Sequence, residues 1–468
     1  MDLLAKLAEI AGPAHVATGA DTAKYGSDWI RKYSWSPLAV VFPGSTRELS
    51  EIMALAHETR TPVVPVSGNT GLAGGTCAEG ALMISVARLN GIREIRADAR
   101  IAIVGAGVIL SALHDACEAQ GLIFPLTLGA RGSAMIGGLL STNAGGSNVL
   151  RYGNARNLVL GIEVVLADGQ VMDLMTELHK DNSGYDLRDL FIGSEGTLGI
   201  ITAAVLKLAP RPAAYATAMV ATESLDDALE LLNRLQTATG GAVEAFEYMP
   251  DDYIRQHLEV FPDARPPFEH SHAVNLLVEV GATAPRDAAV ATDGSVPIVG
   301  YLQETLADLM ESGRISDATV AQNEAQRAQM WQRREQAADV AFSRLPLINN
   351  DIAVPLDRIA DFYEQIALAL PDIDAGAQSN TVAHLGDGNI HYTVWPGSQD
   401  PEVHDAIMEK VEDVALALGG SFSAEHGIGL SKKPSMARRK NPVAVAAMRQ
   451  IKAALDPRGV LNPGKVLP

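Results

Sequence analysis

Residues 62–75 read Pro62-Val-Val-Pro-Val-Ser-Gly-Asn-Thr-Gly-Leu-Ala-Gly-Gly75, and this stretch decides the fold of the N-terminal half. A short β-branched run passes directly into a loop of small residues. Such a loop lets successive backbone N–H groups converge on an anion such as a pyrophosphate. No Gly-Lys-Ser/Thr follows, so the loop does not match a Walker P-loop.

Two further glycine clusters lie in the same half of the chain. One spans 133–146, with Asn143-Ala-Gly-Gly146 at its end, and the other reads Gly193-Ser-Glu-Gly-Thr-Leu-Gly-Ile-Ile201. Together the three clusters indicate that the backbone approaches a large flat ligand at several points. A turn-rich fold without a ligand would show the same pattern, so the loops alone leave both interpretations open.

The order of predicted elements indicates an α+β fold. Up to Pro210, short strands such as 39–42 and 200–208 alternate with turns and with a helix, 45–59, that begins at Ser45 or Thr46. Pro210-Arg211-Pro212 interrupts regular structure and marks a domain boundary. We therefore predict domains at 1–210 and 211–410, the second an α/β layer with a helix at 322–342. A helical segment at 411–468 is expected to complete the active site.

Composition excludes several classes of function. The chain has 468 residues and a formal charge of −19, which argues against a nucleic-acid partner because such partners need a basic surface. Its two cysteines, Cys77 and Cys117, suit a reducing compartment. The N-terminal amphipathic helix lacks an export-signal core, and no apolar run is long enough to span a membrane. We expect a cytoplasmic protein.

The segment from His384 to His391, His-Leu-Gly-Asp-Gly-Asn-Ile-His, predicts a metal site together with Glu425-His426. A straight strand would hold the two histidines ~23 Å apart, whereas a shared ion needs each nitrogen at about 2.1 Å. The chain must therefore reverse at its Gly-Asp-Gly-Asn centre, and each arm of the hairpin would carry a ligand. Adjacent residues of an extended segment point to opposite sides, so one of Glu425 and His426 can bind the ion while the other faces what the ion activates. An ordinary hairpin and a solvated Glu-His pair remain the alternative.

Several motifs, in order along the chain, resemble the flavoprotein family of vanillyl-alcohol-oxidase type. Within that family the chain is similar to the FAD-linked D-2-hydroxy-acid dehydrogenases. The Lys180-Asp-Asn-Ser-Gly-Tyr-Asp186 run is especially similar to their D-2-hydroxyglutarate branch. The resemblance extends from about Pro37 to Lys465. Its other motifs are Ser67-Gly-Asn-Thr-Gly71, Pro125-Leu-Thr-Leu-Gly129, Phe191-Ile-Gly-Ser-Glu-Gly-Thr-Leu-Gly199, Trp331-Gln-Arg-Arg-Glu335, Ala424-Glu-His-Gly-Ile-Gly429 and Asn462-Pro-Gly-Lys465.

This resemblance implies a vanillyl-alcohol-oxidase-type domain that binds FAD. Thr70 stands where covalently flavinylated relatives carry a histidine, so we expect a non-covalent flavin. The residues implied to contact FAD are Ser67, Gly68, Asn69, Thr70, Gly71, Leu128, Ser133, Gly137, Gly138, Asn143, Gly145, Glu195, Ile201 and Asn462.

The resemblance also implies roles in the C-terminal half. His384, His391 and Glu425 would bind a divalent ion, zinc or manganese, and His426 would be the catalytic base. In such chemistry a D-2-hydroxy acid chelates the ion through its carboxylate and hydroxyl oxygens, the base removes the hydroxyl proton and the C2 hydride passes to flavin. Arg334, Asn389 and Thr393 are implied to bind the substrate, although Arg334 could instead be a helical arginine paired with a nearby acid.

Some positions depart from the hydroxyglutarate pattern and put the substrate in doubt. Asn349 stands where a lysine is common, Ala338 where a hydroxyl is common, and Thr393 where an amide is common. D-2-Hydroxyglutarate is the leading substrate, with D-lactate or D-malate as the alternative. A zinc hydrolase is the alternative from a different class, although it has no reason to carry the glycine loops. We expect an electron-transfer flavoprotein or a quinone as acceptor, and a homodimer is possible.

Overall fold

The computed structural model describes residues 2–468, which form two compact units. The first unit contains the chain up to Gly145 together with Gly153–Pro210 and Glu425–Pro468. The second unit contains Gly146–Tyr152 and Arg211–Ala424. The main crossing between the units therefore lies at the Pro-Arg-Pro sequence, and the C-terminal segment returns to the first unit.

The first unit begins with a mixed four-stranded sheet. Its strands, in spatial order, are Val16–Ala17, Ala39–Val41, Leu82–Ser85 and Val63–Val66, and the last three are parallel. The helix Thr46–Thr59 connects two of these strands. The helix begins where predicted, because the Ser45 side chain accepts a hydrogen bond from Glu48 N at 3.2 Å.

A second, antiparallel sheet of the first unit has five strands in the order Ile92–Arg96, Ile101–Gly105, Ile200–Lys207, Val159–Val165 and Val171–Leu174. Leu122–Ile123 pairs with Ala209–Pro210. The other α-helices of this unit are Leu3–Ala11, Leu110–Glu118, Ile136–Ser141, Leu187–Phe191, Lys433–Arg439 and Pro442–Leu455.

The second unit is built on a seven-stranded antiparallel sheet. Its order is Ile315–Val320, Ala214–Thr222, Val274–Ala282, Val243–Pro250, Gln378–His384, Asn389–Trp395 and Ile348–Ala353. The helices of this unit are Val149–Tyr152, Leu225–Thr239, Asp251–Val260, Pro285–Ala288, Pro297–Glu311, Glu324–Glu335, Ala337–Ala341, Ile359–Ile373 and Pro401–Ala417.

The two faces of this sheet differ in chemistry because side chains alternate along each strand. Phe246, Tyr248 and Ile390 point to one face and pack into the main apolar core with the helices Leu225–Thr239, Pro297–Glu311 and Ile359–Ile373. The opposite face carries Glu247, His384 and their neighbours. Its apolar part packs against the helices Asp251–Val260 and Glu324–Glu335. The polar part of this second face holds the candidate site.

One predicted helix differs in detail. The helix predicted at 322–342 is two helices, which separate at Gln336, whose side-chain oxygen lies 2.8 Å from His257 Nε2. Within residues 2–468, no helix is both long enough and apolar enough to cross a membrane.

Candidate active site

The two predicted metal-binding histidines lie on one β-hairpin, which we call the histidine hairpin, Gln378–Trp395. His384 pairs with Asn389 and His391 pairs with Val382, so the histidines are diagonal neighbours on the same sheet face. Their ring centroids are 5.2 Å apart and a ring nitrogen of each lies within 4.8 Å of the other. The predicted chain reversal is confirmed, and it brings two imidazoles within reach of one ion.

Tight turn geometry fixes this hairpin. Gly388 has a φ of +84°, and a Cβ there would lie 2.2 Å from Val354 O. Only glycine accepts both the left-handed backbone and the close approach. The second glycine of the Gly-Asp-Gly-Asn sequence is therefore required by the geometry of the turn.

Glu247 orients the first of these histidines. It lies opposite His384 on the neighbouring strand, and its Oε1 is 2.8 Å from His384 Nδ1. A carboxylate at Nδ1 holds the proton on that nitrogen, so that Nε2 is the unprotonated nitrogen, the form in which a histidine binds a metal. Burial raises the pKa of Glu247, but His384 and Arg334 outweigh that effect, so its pKa lies below the usual value. Glu247 was not predicted from the sequence, because strand pairing with a residue far along the chain has no local signal.

His391 has an acidic neighbour as well. Asp351, opposite it on the next strand, places Oδ1 3.8 Å from His391 Nδ1 and is 1 % exposed. Asp351 Oδ1 also accepts a hydrogen bond from Asn389 Nδ2 at 2.9 Å. The pair of histidines is therefore flanked by buried carboxylates on both sides.

Arg334 lies on the helix Glu324–Glu335, which we call the arginine helix. Its Nε donates to Glu247 Oε2 at 2.7 Å, and its Nη2 is 3.5 Å from His384 Nε2. Its carboxylate partner here is thus a side chain of the protein itself. Arg334 lies beside a predicted metal ligand, which places its remaining Nη groups at the site, and its role toward substrate stays a prediction.

Asn389 and Thr393 lie on the same face as the histidines. Asn389 Nδ2 is used by Asp351 and by Ile352 O, whereas Asn389 Oδ1 is buried and has no hydrogen-bond partner among the described residues. An orphaned buried oxygen is rare in a folded protein and marks a place where a ligand group would bind. Thr393 is buried, with Oγ1 3.5 Å from Asn349 Oδ1. The substrate role predicted for both residues is compatible with these positions and stays a prediction.

The first unit brings the three glycine clusters together. Ser67 Oγ accepts a hydrogen bond from Gly138 N at 3.2 Å, and a Cβ on Gly68 would lie 2.1 Å from Ser133 O. Glu195 N donates to Ser141 O at 2.8 Å, which ties the third cluster to the second. The remaining predicted FAD residues belong to the same unit: Thr70, Gly71, Leu128, Gly137, Gly145 and Ile201.

Four predicted FAD residues have a left-handed backbone although they are not glycine. Their φ values are 51° at Asn69, 52° at Asn143, 52° at Glu195 and 40° at Asn462. Such conformations cost free energy and cluster at functional sites. Asn462 Nδ2 donates to Gly75 O at 3.1 Å and to Glu195 O at 2.8 Å, whereas its Oδ1 is buried and has no partner among the described residues. These contacts make the last residues of the chain part of the loop cluster.

Glu195 also holds the segment that carries Glu425 and His426. Its carboxylate accepts hydrogen bonds from Ile428 N at 2.7 Å and Gly429 N at 2.9 Å, and burial raises its pKa. Both carboxylate oxygens are thus occupied by the protein backbone. Glu425 and His426 open the C-terminal part of the first unit. Their predicted roles as third ligand and base stay predictions.

The chain is similar to two known domain families and to several known enzymes. Residues 37–175 match the FAD binding domain, and residues 211–466 match the C-terminal domain of FAD linked oxidases. A D-2-hydroxyglutarate dehydrogenase of Xanthomonas citri pv. viticola is 35 % identical over 96 % of this chain and 93 % of that protein. The mitochondrial D-2-hydroxyglutarate dehydrogenase of Bos taurus is 36 % identical over 94 % of this chain and 79 % of that protein.

Solved structures support the fold. p-Cresol methylhydroxylase superimposes with a TM-score of 0.75 at 15 % identity, over 99 % of this chain and 96 % of that one. Alkyldihydroxyacetonephosphate synthase gives a TM-score of 0.73 at 15 % identity, over 99 % and 84 %. The predicted α+β fold of the vanillyl-alcohol-oxidase type is confirmed. The chain belongs to the FAD-linked oxidase family and is an FAD-dependent dehydrogenase related to the D-2-hydroxyglutarate dehydrogenases.

Proposed function

We propose that this protein oxidises a D-2-hydroxy acid to the 2-oxo acid, with D-2-hydroxyglutarate as the leading substrate. The relatives that match almost the whole chain carry that name. The observation that carries the proposal is the pair His384 and His391 on one sheet face, with His384 oriented by Glu247. A zinc hydrolase is not retained, because the chain carries an FAD binding domain.

The residues present fit a divalent ion. The ring nitrogens of His384 and His391 lie close enough to share one, and the carboxylate at His384 Nδ1 is the partner that metal-bound histidines usually have. We propose that Glu425 supplies the third ligand. Zinc and manganese both accept such nitrogen and oxygen donors. When bound, the ion would lower the pKa of the substrate hydroxyl.

The residues of the first unit fit FAD. The glycine loops have no side chains that would prevent a ligand from approaching their backbone. The buried Asn462 Oδ1 lacks a protein partner among the described residues. FAD, when bound, supplies the acceptor for the C2 hydride. We propose that it is held without a covalent bond, since Thr70 offers no imidazole. Flavin that precipitates with the protein in acid would contradict this.

The protein side chains would then handle the substrate and its proton. Arg334 Nε is engaged by Glu247, so a substrate carboxylate would bind at the Nη groups, which form a planar donor fork. His426 would take the hydroxyl proton, a role in which imidazole is the commonest general base. An electron-transfer flavoprotein or a quinone is proposed as the final acceptor, and the cytoplasmic location and homodimer stay predictions.

One observation favours a smaller substrate as the second candidate. Asn349, at the edge of the polar face, is neutral, and its Oδ1 is 3.5 Å from Thr393 Oγ1. A second substrate carboxylate would gain no charge partner there. D-Lactate, which has a single carboxylate, is therefore the alternative that this observation favours, and D-malate, a dicarboxylate, stays an alternative within the same reaction without support from it.

The test is product formation by purified, FAD-loaded protein with an artificial dye as acceptor. Each acid of a D- and L-2-hydroxy acid panel is supplied to protein reconstituted with zinc, with manganese or with neither. We expect 2-oxo acid from the D series only, and only with metal. Turnover of L acids, or turnover that survives thorough chelation, would contradict the proposal.

A further inference from the structure

We propose that Glu247 is a positioning residue that couples the metal ligand His384 to the substrate-binding Arg334. This inference rests on the proposed function, because it assigns Glu247 a task at that same site. Glu247 touches neither ion nor substrate and acts through the two side chains that do.

The geometry gives each oxygen of Glu247 its own partner. Oε1 lies 2.8 Å from His384 Nδ1, and Oε2 lies 2.7 Å from Arg334 Nε. The Glu247 side chain is 1 % exposed, so water cannot replace either partner. Strand pairing of Glu247 with His384 fixes the distance on one side, and the arginine helix fixes it on the other.

The chemistry of this arrangement is specific to an ionised carboxylate. A carboxylate accepts from both partners at once, and it keeps the His384 proton on Nδ1 so that Nε2 can bind a metal. A neutral amide has one accepting oxygen in place of two, so it cannot accept from His384 and Arg334 in this same arrangement. If it donates to Nδ1, the histidine proton must move to Nε2, which blocks the ligand position.

A neighbouring carboxylate supplies a matched control. Glu279, on the adjacent strand Val274–Ala282, is also buried and also pairs with the arginine helix, through Arg327 at 2.6 and 2.7 Å. Its other partners are Trp331 Nε1 at 2.8 Å and Thr217 Oγ1 at 2.6 Å. Glu279 thus shares the burial and the helix contact of Glu247 but touches no histidine.

The experiment compares Glu247→Gln with Glu279→Gln in full-length, FAD-loaded protein. Zinc and cobalt affinities are measured by competition with a chromophoric chelator, and flavin content is read from its absorbance. We expect Glu247→Gln to lose about 10- to 100-fold in metal affinity with flavin content unchanged. Glu279→Gln should keep the wild-type affinity. Equal affinities for Glu247→Gln and wild type, or equal losses in the two variants, would overturn the inference.

Two further measurements cover the case in which Glu247→Gln does not fold. Glu247→Asp keeps the charge and should retain more metal affinity than the amide variant, with a raised KM for the hydroxy acid. Nitrogen NMR of histidine-labelled, metal-free wild type should show His384 protonated at Nδ1. An Nε2–H tautomer there would overturn the inference. Wild type that binds no metal would instead contradict the proposed function, so the two failures can be told apart.

Discussion

At the scale of single residues, the second unit buries two carboxylates on the sheet face that packs against the arginine helix. Glu247 and Glu279 are almost fully buried, and each is matched by an arginine of one helix. A buried carboxylate costs several kcal/mol unless it is paired and hydrogen-bonded. Each of these carboxylates is therefore stabilised by its arginine. Glu247, which lies beside His384, also contacts a predicted metal ligand.

His426→Ala tests the proposed base. The change removes the group that would accept the hydroxyl proton, and general-base catalysis typically contributes 10²- to 10⁴-fold in rate. We expect kcat to fall by at least about 100-fold while flavin and metal contents stay at wild-type values. The measurement is dye-coupled turnover beside flavin absorbance and metal analysis. Unchanged turnover would remove the role assigned to His426.

Asp387, in the turn of the histidine hairpin, predicts a pH dependence of stability. Burial raises the pKa of Asp387 from 3.8 to about 6, although His384 acts in the opposite direction. Between pH 3.8 and about 6 the Asp387 carboxyl therefore stays protonated in the native state, whereas it loses its proton in the unfolded state. The free energy of unfolding falls as the pH rises through this range. In metal-free protein, Asp387→Asn should be more stable than wild type by about 2–3 kcal/mol at pH 8.

Asparagine keeps the acceptor for the hydrogen bond from Asn389 N, which is 3.1 Å long in the native protein. The advantage of Asp387→Asn should thus largely disappear near pH 4, where the native carboxyl is protonated and the unfolded one is about half protonated. Urea denaturation of Asp387→Asn and wild type at pH 4 and pH 8 measures this difference in the free energy of unfolding. An advantage that is the same at pH 4 and pH 8 would show that ionisation of Asp387 is not its cause.

Features that depend on residues adjacent in sequence could be predicted, whereas features that depend on partners far along the chain could not. The histidine hairpin could be predicted because its turn is formed by adjacent residues, and Ser45 could be named as one of two candidate caps for the same reason. Glu247, Asp351 and Glu279 gain their meaning only from partners on other strands or on a distant helix. No local pattern carries that information, so only the fold reveals them.

At the scale of elements, the histidine hairpin depends on its turn. Gly388→Ala would place a methyl group 2.2 Å from Val354 O at a φ of +84°. Gly294 has nearly the same φ, +85°, but open space around it. Gly294→Ala therefore measures the backbone cost alone. We expect Gly388→Ala to exceed it by about 1–3 kcal/mol in urea denaturation.

Gly388→Ala should also weaken metal binding, because the turn sets the spacing of the two histidines. Gly294→Ala should leave metal affinity at the wild-type value. Equal stability losses in the two variants would show that the hairpin relaxes around the added methyl group.

The arginine helix shows why element boundaries were harder to predict. The sequence predicts one helix over 322–342, because no residue between these positions is a helix breaker. The helix is interrupted at Gln336, whose side chain contacts His257. A tertiary contact of this kind has no signal in a continuous helical pattern. The interruption lies two residues after Arg334, close to the site.

At the scale of the whole molecule, the first unit is discontinuous in sequence. Val63 N donates to Val460 O, and Asn462 N donates to Val63 O, each at 2.7 Å, so the C-terminal segment continues the edge of the N-terminal sheet. The family resemblance identified the FAD-binding fold. The return of the chain after residue 424 depends on contacts between distant residues, which local sequence patterns do not encode.

Removal of residues 425–468 tests this dependence. The truncated protein loses the contacts that Asn462 makes with Gly75 and Glu195, so we expect it to be purified without FAD. Asn462→Ala should lower FAD affinity by itself. Arg458→Ala is the control, because Arg458 donates only at an exposed position, to His57 O at 2.7 Å. Full flavin content in the truncated protein would contradict the assigned role of the segment.

Metal and flavin are proposed to act together on a D-2-hydroxy acid, and the reductive half-reaction tests this most directly. Metal-loaded and chelated samples are mixed anaerobically with D- and L-2-hydroxyglutarate, D-lactate and D-malate while flavin absorbance is followed. We predict rapid bleaching by D-2-hydroxyglutarate in the metal-loaded sample, none by the L enantiomer, and none after chelation. A flavin that stays oxidised with every D acid, or that bleaches equally without metal, would contradict the account.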